Sequence, residues 1–427
     1  MSRFCKSLGI VLLGLGFLIL AVWYGAHPRD DKSGVARTTL GSDVPPGVRF
    51  VTVALGGFRG LLADVLWVRA ADLQERGRFF EVAQLADWIT RLEPRYPEVW
   101  IYHAWNLSYN ITAVVSDPAD RWHWVMNGAR LLRDEAIPAN PDSPVLYWEL
   151  GWMFYDKVGG RWDEATLFYR ISWAREMTTL LGPGMMNYAV IAGRPDVKRL
   201  WASAGLKTEV MQAMDEAYGP FDWRLPETHA LYWGYRGRPY QEAGSRWCTR
   251  LVWMALLEEL KGGRLVFSPG RKLYLQGARL DVATRGIGRC DGDKVFDDPL
   301  TGLVAARFLR EATVYLYAFG RKAEAEEALA RLKRTPNYRD GDLALDAFVA
   351  HVVEQVEFFK HETGHEGVVG LLARGDMFRR LAITEYGDGY ERLARLYWDA
   401  LKRTNSHTPD WDTFIREAGD RSRREMP

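Results

Sequence analysis

The sequence predicts an all-α protein, an α-solenoid of antiparallel helix hairpins, and three observations carry that reading. A short phrase recurs along the chain: "GRFFEV" from Gly77, "GRWDEA" from Gly160, "GRPYQE" from Gly237 and "GRKAEA" from Gly320. Each copy lies between two apolar-aromatic runs with helical spacing, which places an amphipathic helix on either side. Hydrophobic residues make up 48% of the chain and tryptophan occurs 18 times, enough bulk to fill the gaps between packed helices.

The phrase reduces to Gly-Arg-x-x-Glu/Gln. Glycine tolerates the left-handed conformation that ends one helix, and an acidic or amide side chain suits the first turn of the next. Gly77, Gly160, Gly237 and Gly320 are therefore expected as structural turn residues, and several such hairpins in one chain make a repeat array.

The residues around the first turn resemble a tetratricopeptide repeat. Ala70 and Leu73 fall on its first helix, Gly77 and Phe79 at its turn, and Pro94 closes the second helix. Trp100 opens the next unit 34 residues after Leu66, the period of that family. Tyr147, Leu150, Gly151, Phe154, Ala165 and Tyr169 repeat the scheme, as do Leu316, Gly320, Ala325, Leu329 and Pro336. The resemblance covers about half the chain and implies a binding scaffold. The array is interrupted near Gly182, and "GGRLVFSPGRKLYLQG" predicts a small β-hairpin around Ser268-Pro269-Gly270.

These signals divide the chain into a short tail (1–7), a hydrophobic anchor (8–24), a polar linker (25–50) and tetratricopeptide-like repeats (51–182). An irregular helical region with one repeat-like hairpin and the β-hairpin follows (183–300). Repeat-like and capping helices (301–403) and a polar tail (404–427) complete it. Leu8 to Tyr24 carries no charge, follows Arg3 and Lys6, and ends in Trp23 and Tyr24. As a helix it spans roughly 25 Å, nearly a bilayer core, with aromatics where an interfacial belt sits. It is read as an uncleaved transmembrane anchor, a signal peptide being the rival. The expected location is a bacterial inner membrane, single-pass, with the bulk of the chain periplasmic.

Charge excludes some classes. With 56 Lys+Arg against 55 Asp+Glu there is no basic surplus for nucleic acid. Three cysteines without ligand spacing supply neither a disulfide framework nor a zinc ribbon, and no Cys248–Cys290 bridge is expected.

One motif points to chemistry. "HETGH", His361 to His365, has the His-Glu-x-x-His spacing of zinc peptidases. On a helix both imidazoles share a face and can hold zinc while Glu362 activates water. Glu385, 20 residues after His365, would be the third ligand. Gly364 and Gly367 weaken such a helix by about 1 kcal/mol each relative to alanine. The preferred reading is a scaffold with no catalysis and no cofactor, anchored by its N-terminal helix and capturing an unidentified protein or peptide. Trp100, Tyr147, Trp148 and Trp152 are its candidate contacts, with exposure separating contact from packing. A zinc metallopeptidase is the alternative, and glycan capture by tryptophans a further one.

Overall fold

The computed structural model describes residues 46–425 except 161, 183–185, 187, 189–194, 241–243, 291–294, 337 and 356–362. The anchor segment 8–24 and His361 and Glu362 lie outside the described residues. The chain divides into two units, Met1–Phe58 and Arg59–Pro427. The described residues of the first are helical, and the second holds the packed helices and the sheet. Among the described residues there are 17 helices and one two-stranded sheet, and no helix is long and apolar enough to cross a membrane.

Helix α1 (Pro46–Glu75) and α2 (Phe79–Leu92) form the first hairpin. Its first helix begins within the stretch read as linker. Three longer helices follow, each widened to π: α3 (97–114) at Asn106–Ile111, α4 (118–139) at Leu132–Ala136 and α5 (144–158) at Met153–Val158. Next come α6 (Thr166–Leu181), α7 (Pro195–Ser203), α8 (Thr208–Ala217), α9 (Pro226–Gly237) and α10 (Gly244–Gly262). Pro97, Pro118, Pro144 and Pro226 each open a helix, where the missing N–H costs nothing and the fixed φ is already helical.

The repeated turn has one geometry in two of its four predicted places. At Gly77 and Gly320 φ is 69° and 82°. The following amide closes a six-residue ring, Arg78 N to Leu73 O at 2.9 Å and Arg321 N to Leu316 O at 2.8 Å. Both arginines sit at φ −87°, ψ 60° and pair with the glutamate three residues on, Arg78–Glu81 and Arg321–Glu324, each at 2.5 Å. Gly160 and Gly237 differ from expectation: neither has positive φ. A Cβ at Gly160 would overlap the Asp156 carbonyl, and one at Gly237 would strike Cys248 Sγ, with Tyr147 Cβ at 3.0 Å. Those two are glycine because there is no room.

The same turn occurs where no Gly-Arg phrase announces it. Gly205 has φ 75° with Leu206 N bonded to Trp201 O at 2.9 Å, and Ala382 has φ 59° with Ile383 N bonded to Phe378 O at 2.9 Å. A left-handed alanine costs about 1 kcal/mol relative to glycine. Ala382→Gly is therefore expected to stabilise the protein by about that amount, read as a raised urea midpoint at unchanged slope.

Successive hairpins stack so that one layer of helices runs parallel. From α3 to α5, Ser108 Oγ meets Met153 Sδ at 3.4 Å and Tyr109 Oη meets Asp156 at 3.1 Å. From α5 to α10, the Trp148 and Trp247 rings lie 5.4 Å apart, and Gly151 packs against Leu251. The next member is α12 (Pro299–Ala318), tied to α10 by Arg250–Asp298 at 3.2 Å and Lys261–Glu311 at 3.7 Å. A second layer holds α6 and α9, joined by Arg170–Glu227 at 2.5 Å and by the Trp173 and His229 rings at 4.6 Å.

The third Gly-Arg hairpin thus enters in reversed order, its second helix, α10, taking the place beside α5. Helices α7 and α8 lie between α6 and α9 in the chain, and α9 runs parallel to α6. One continuous apolar core extends from Ile89 to Ala418.

The predicted β-hairpin is present: β1 (Arg264–Ser268) pairs antiparallel with β2 (Leu273–Gly277), Arg264 opposite Gly277 and Ser268 opposite Leu273. After α11 (Leu280–Arg289) and α12 come α13 (Lys322–Lys333), α14 (Leu345–Gln355), α15 (Thr363–Arg380), α16 (Thr384–Thr404) and α17 (Trp411–Glu425). Helix α17 corrects the reading of 404–427 as a polar tail. Phe414, Ala418 and Ser422 form a buried stripe at helical spacing, and Ser422 donates to Asp376 on α15. Three small contacts among charged residues are too sparse to register as periodicity. Cys248 and Cys290 are both buried.

Candidate functional site

The four aromatic candidates separate by exposure. Trp100 is 5% exposed and donates its Nε1–H to the Pro94 carbonyl at 2.8 Å; Tyr147 is 3% exposed and donates to the Pro141 carbonyl at 2.9 Å. Each locks the start of its own helix onto the preceding loop, so both are packing residues rather than contact residues. Trp148 and Trp152 are half-buried on the outer side of α5, stacked at 5.7 Å.

Structure adds neighbours the sequence did not offer. Trp247 on α10, 43% exposed, meets Trp148 edge-on, and the Tyr155 ring lies 5.5 Å from Trp152. Four rings thus run in contact across two parallel helices. Trp105 on α3, 38% exposed, stacks on Tyr109 at 4.3 Å. On α12, Leu300 and Leu303 stand 54% and 52% exposed. Helical spacing marks Trp247 and Leu303 as surface or core only once their neighbours are known, and the reversed α9–α10 hairpin sets those neighbours.

Polar groups adjoin Trp105 and Tyr109. Trp105 donates its Nε1–H to Glu149, which is 3% exposed and whose carboxyl burial pushes up to about 8. An acid held neutral here accepts the indole hydrogen bond without placing a bare charge in the core. Lys157 and Arg121 share Asp163, at 2.7 Å each, and together they hold that carboxyl below its usual range against the opposing cost of burial. A ring held in this way, as Trp105 is, loses little entropy on contact with a partner.

Of the alternative zinc set, the two described members, His365 and Glu385, lie far apart. His365, at the start of α15, bonds Glu417 on α17 at 2.5 Å, and its ring lies 4.3 Å from Phe414. Glu385 opens α16 at the far end of the α15–α16 hairpin. From His365 to the end of α15 is about 22 Å of helix, too far for a shared ion. Among the described residues no three His, Cys, Asp or Glu side chains converge in a metal-ligand group.

No family model matches the chain, no curated protein matches it, and no solved structure matches it.

Proposed function

We propose that this protein is a membrane-anchored, tetratricopeptide-like scaffold that captures a protein or peptide on the outer side of its parallel first-layer helices. The observation that supports this is the run of ring contacts Tyr155–Trp152–Trp148–Trp247 bridging α5 and α10, with Trp247 open to solvent. Partly exposed tryptophans clustered over a fixed helical frame have the composition of binding hot spots, and Leu300 and Leu303 add exposed apolar area on α12. The N-terminal hydrophobic segment is read as the anchor, in a bacterial inner membrane with the bulk periplasmic. On this reading the repeat-like helices place the partner near the membrane surface, and the protein performs no catalysis.

The test is recovery of partners from detergent-solubilised native membranes. Trp148→Ala combined with Trp247→Ala is expected to lower recovery at least tenfold while helicity and melting remain near wild type. Trp88→Ala, which removes an equally exposed ring on α2, is expected to leave recovery unchanged. Equal losses in both variants, or in neither, would sink this assignment.

A further inference from the structure

Away from the aromatic face, the β-hairpin, the start of α11 and the start of α16 enclose a cleft of about 520 Å³, within the range of small-molecule sites. Four guanidiniums line it: Arg224, Arg264, Arg279 and Arg321. Three are committed locally, Arg224 to Asp222 at 2.6 Å, Arg279 to Asp281 at 2.5 Å and Arg321 to Glu324 at 2.5 Å. Arg264 is different. It lies on β1 with its guanidinium 4.5 Å over the Tyr386 ring and has no carboxylate partner among the described residues. Stacking fixes the plane of the group and leaves its N–H edge available, the arrangement that suits a planar two-point contact with an oxyanion.

The surroundings favour the same charge. Helices α11 and α16 both begin at this cleft, through Leu280 and Asp281 and through Glu385 and Tyr386. Neither N-cap side chain bonds the helix amides; at α11 the Asp281 carboxylate accepts from the Val282 amide, which leaves the start of α16 to contribute amide partial positive charge. Behind the wall, Glu259 is fully buried and its Oε2 has no protein partner. That oxygen packs against Gly263 and near the Arg279 stem, both lining residues. Burial pushes the Glu259 carboxyl up to about 8, and the two aspartates that line the cleft, Asp222 and Asp281, are each paired with an arginine. The remaining carboxylate, Glu385, is exposed and screened by solvent. Leu265, Val266 and Leu280 add apolar wall.

We propose that this cleft binds a small organic anion, its carboxylate or phosphate received by Arg264 and its apolar body lying along β1 and Tyr386. The site is separate from the aromatic face, so it can stand or fall independently of the scaffold reading.

Calorimetric titration of the full chain with inorganic phosphate and with acetate, at ionic strength held constant with sodium chloride, tests it. Saturable one-site binding of at least one anion is expected, the tighter anion distinguishing a phosphate-bearing from a carboxylate-bearing ligand. Arg264→Gln should weaken binding at least tenfold. Glu385→Gln, an exposed change that leaves folding untouched, should tighten it about threefold by removing a like charge, an effect on the order of a single screened charge pair. Arg310→Gln, which breaks a distant ion pair with Asp340, should change nothing. Absence of saturable binding, or binding indifferent to both Arg264→Gln and Glu385→Gln, overturns the proposal.

Discussion

Gly151→Leu is expected to abolish cooperative folding, and Gly151→Ala to cost about 1–3 kcal/mol, the range for overpacking a filled core. Gly151 sits where α5, α9 and α10 cross. A first carbon there already lies 2.7 Å from Leu251 Cδ2, 3.0 Å from the Ala230 carbonyl oxygen and 3.2 Å from Trp233 Cβ. Leu251 is 1% exposed, Ala230 0% and Trp233 2%, so none can retreat into solvent. The carbonyl belongs to the α9 backbone, and moving it displaces the helix. Leucine adds three further carbons to a point with no room for one. Gly288→Ala is the control: it is helical, and a Cβ there meets nothing within 4 Å, so helix propensity alone should make it neutral or stabilising. Urea unfolding followed by circular dichroism checks both. A Gly151→Leu protein that unfolds cooperatively near the wild-type midpoint would refute this picture of the crossing.

The second large effect is a fall in stability as pH rises through the neutral range. Glu259 is fully buried, accepts from Thr228 Oγ1 at 2.5 Å, and is pushed up to about 8 chiefly by burial, with Glu227 and Asp222 adding to the shift and Arg279 opposing it. Glu149 is pushed up to about 8 by burial alone. Between the ordinary carboxylate value of 4.5 and about 8, the folded state holds protons that the unfolded state has released. The contribution of these two carboxyls to stability therefore declines with pH across that window and levels off above it.

His103 and His229 act in the opposite sense. Burial lowers both from 6.5 to about 4, so the unfolded state binds the extra protons and stability rises with pH between those values. The two slopes oppose one another up to about 6.5, and the carboxylate term then acts alone. Since one pKa unit corresponds to about 1.4 kcal/mol, the loss from pH 6.5 to 8.5 is expected to reach a few kcal/mol. Glu259→Gln keeps the shape without the titrating proton. It should match wild type near pH 5 and exceed it near pH 9 in denaturant midpoint; identical pH profiles for the two proteins would remove Glu259 as the cause.

How far the sequence carries the fold can be followed through individual residues. Gly77 and Gly320 are legible because a local backbone requirement, a left-handed residue followed by an Arg–Glu pair, is met by adjacent residues. The hairpin around Pro269 is legible for the same reason. Ala382 makes the identical turn yet gives no sign of it, because packing of α15 on α16 holds an alanine where glycine is easier. The stripe of α17 is hidden because three small contacts among charged residues do not rise above the polar background. Gly160 and Gly237 mark real connections, but for a different reason, since the constraint there is the approach of another atom and not a dihedral angle.

The candidate site is legible only in part. Trp148 and Trp152 lie on the aromatic face, but Trp100 and Tyr147, equally aromatic and equally well spaced, are packing residues anchored to the carbonyls of Pro94 and Pro141. Residue type and period are identical for a ring turned inward and a ring turned outward. Trp247 becomes a neighbour of Trp148 because α10 takes the place beside α5, and Arg264 meets Tyr386 from 122 positions away in the numbering.

The amino-acid sequence by itself determined the all-α class, the turn chemistry and the β-hairpin, because each depends on residues within a few positions of one another. Only the tertiary structure decided which helices lie side by side, which rings face solvent and which arginine of the cleft has no carboxylate partner among the described residues. Those outcomes depend on burial and on partners distant in the chain, and no local pattern records them.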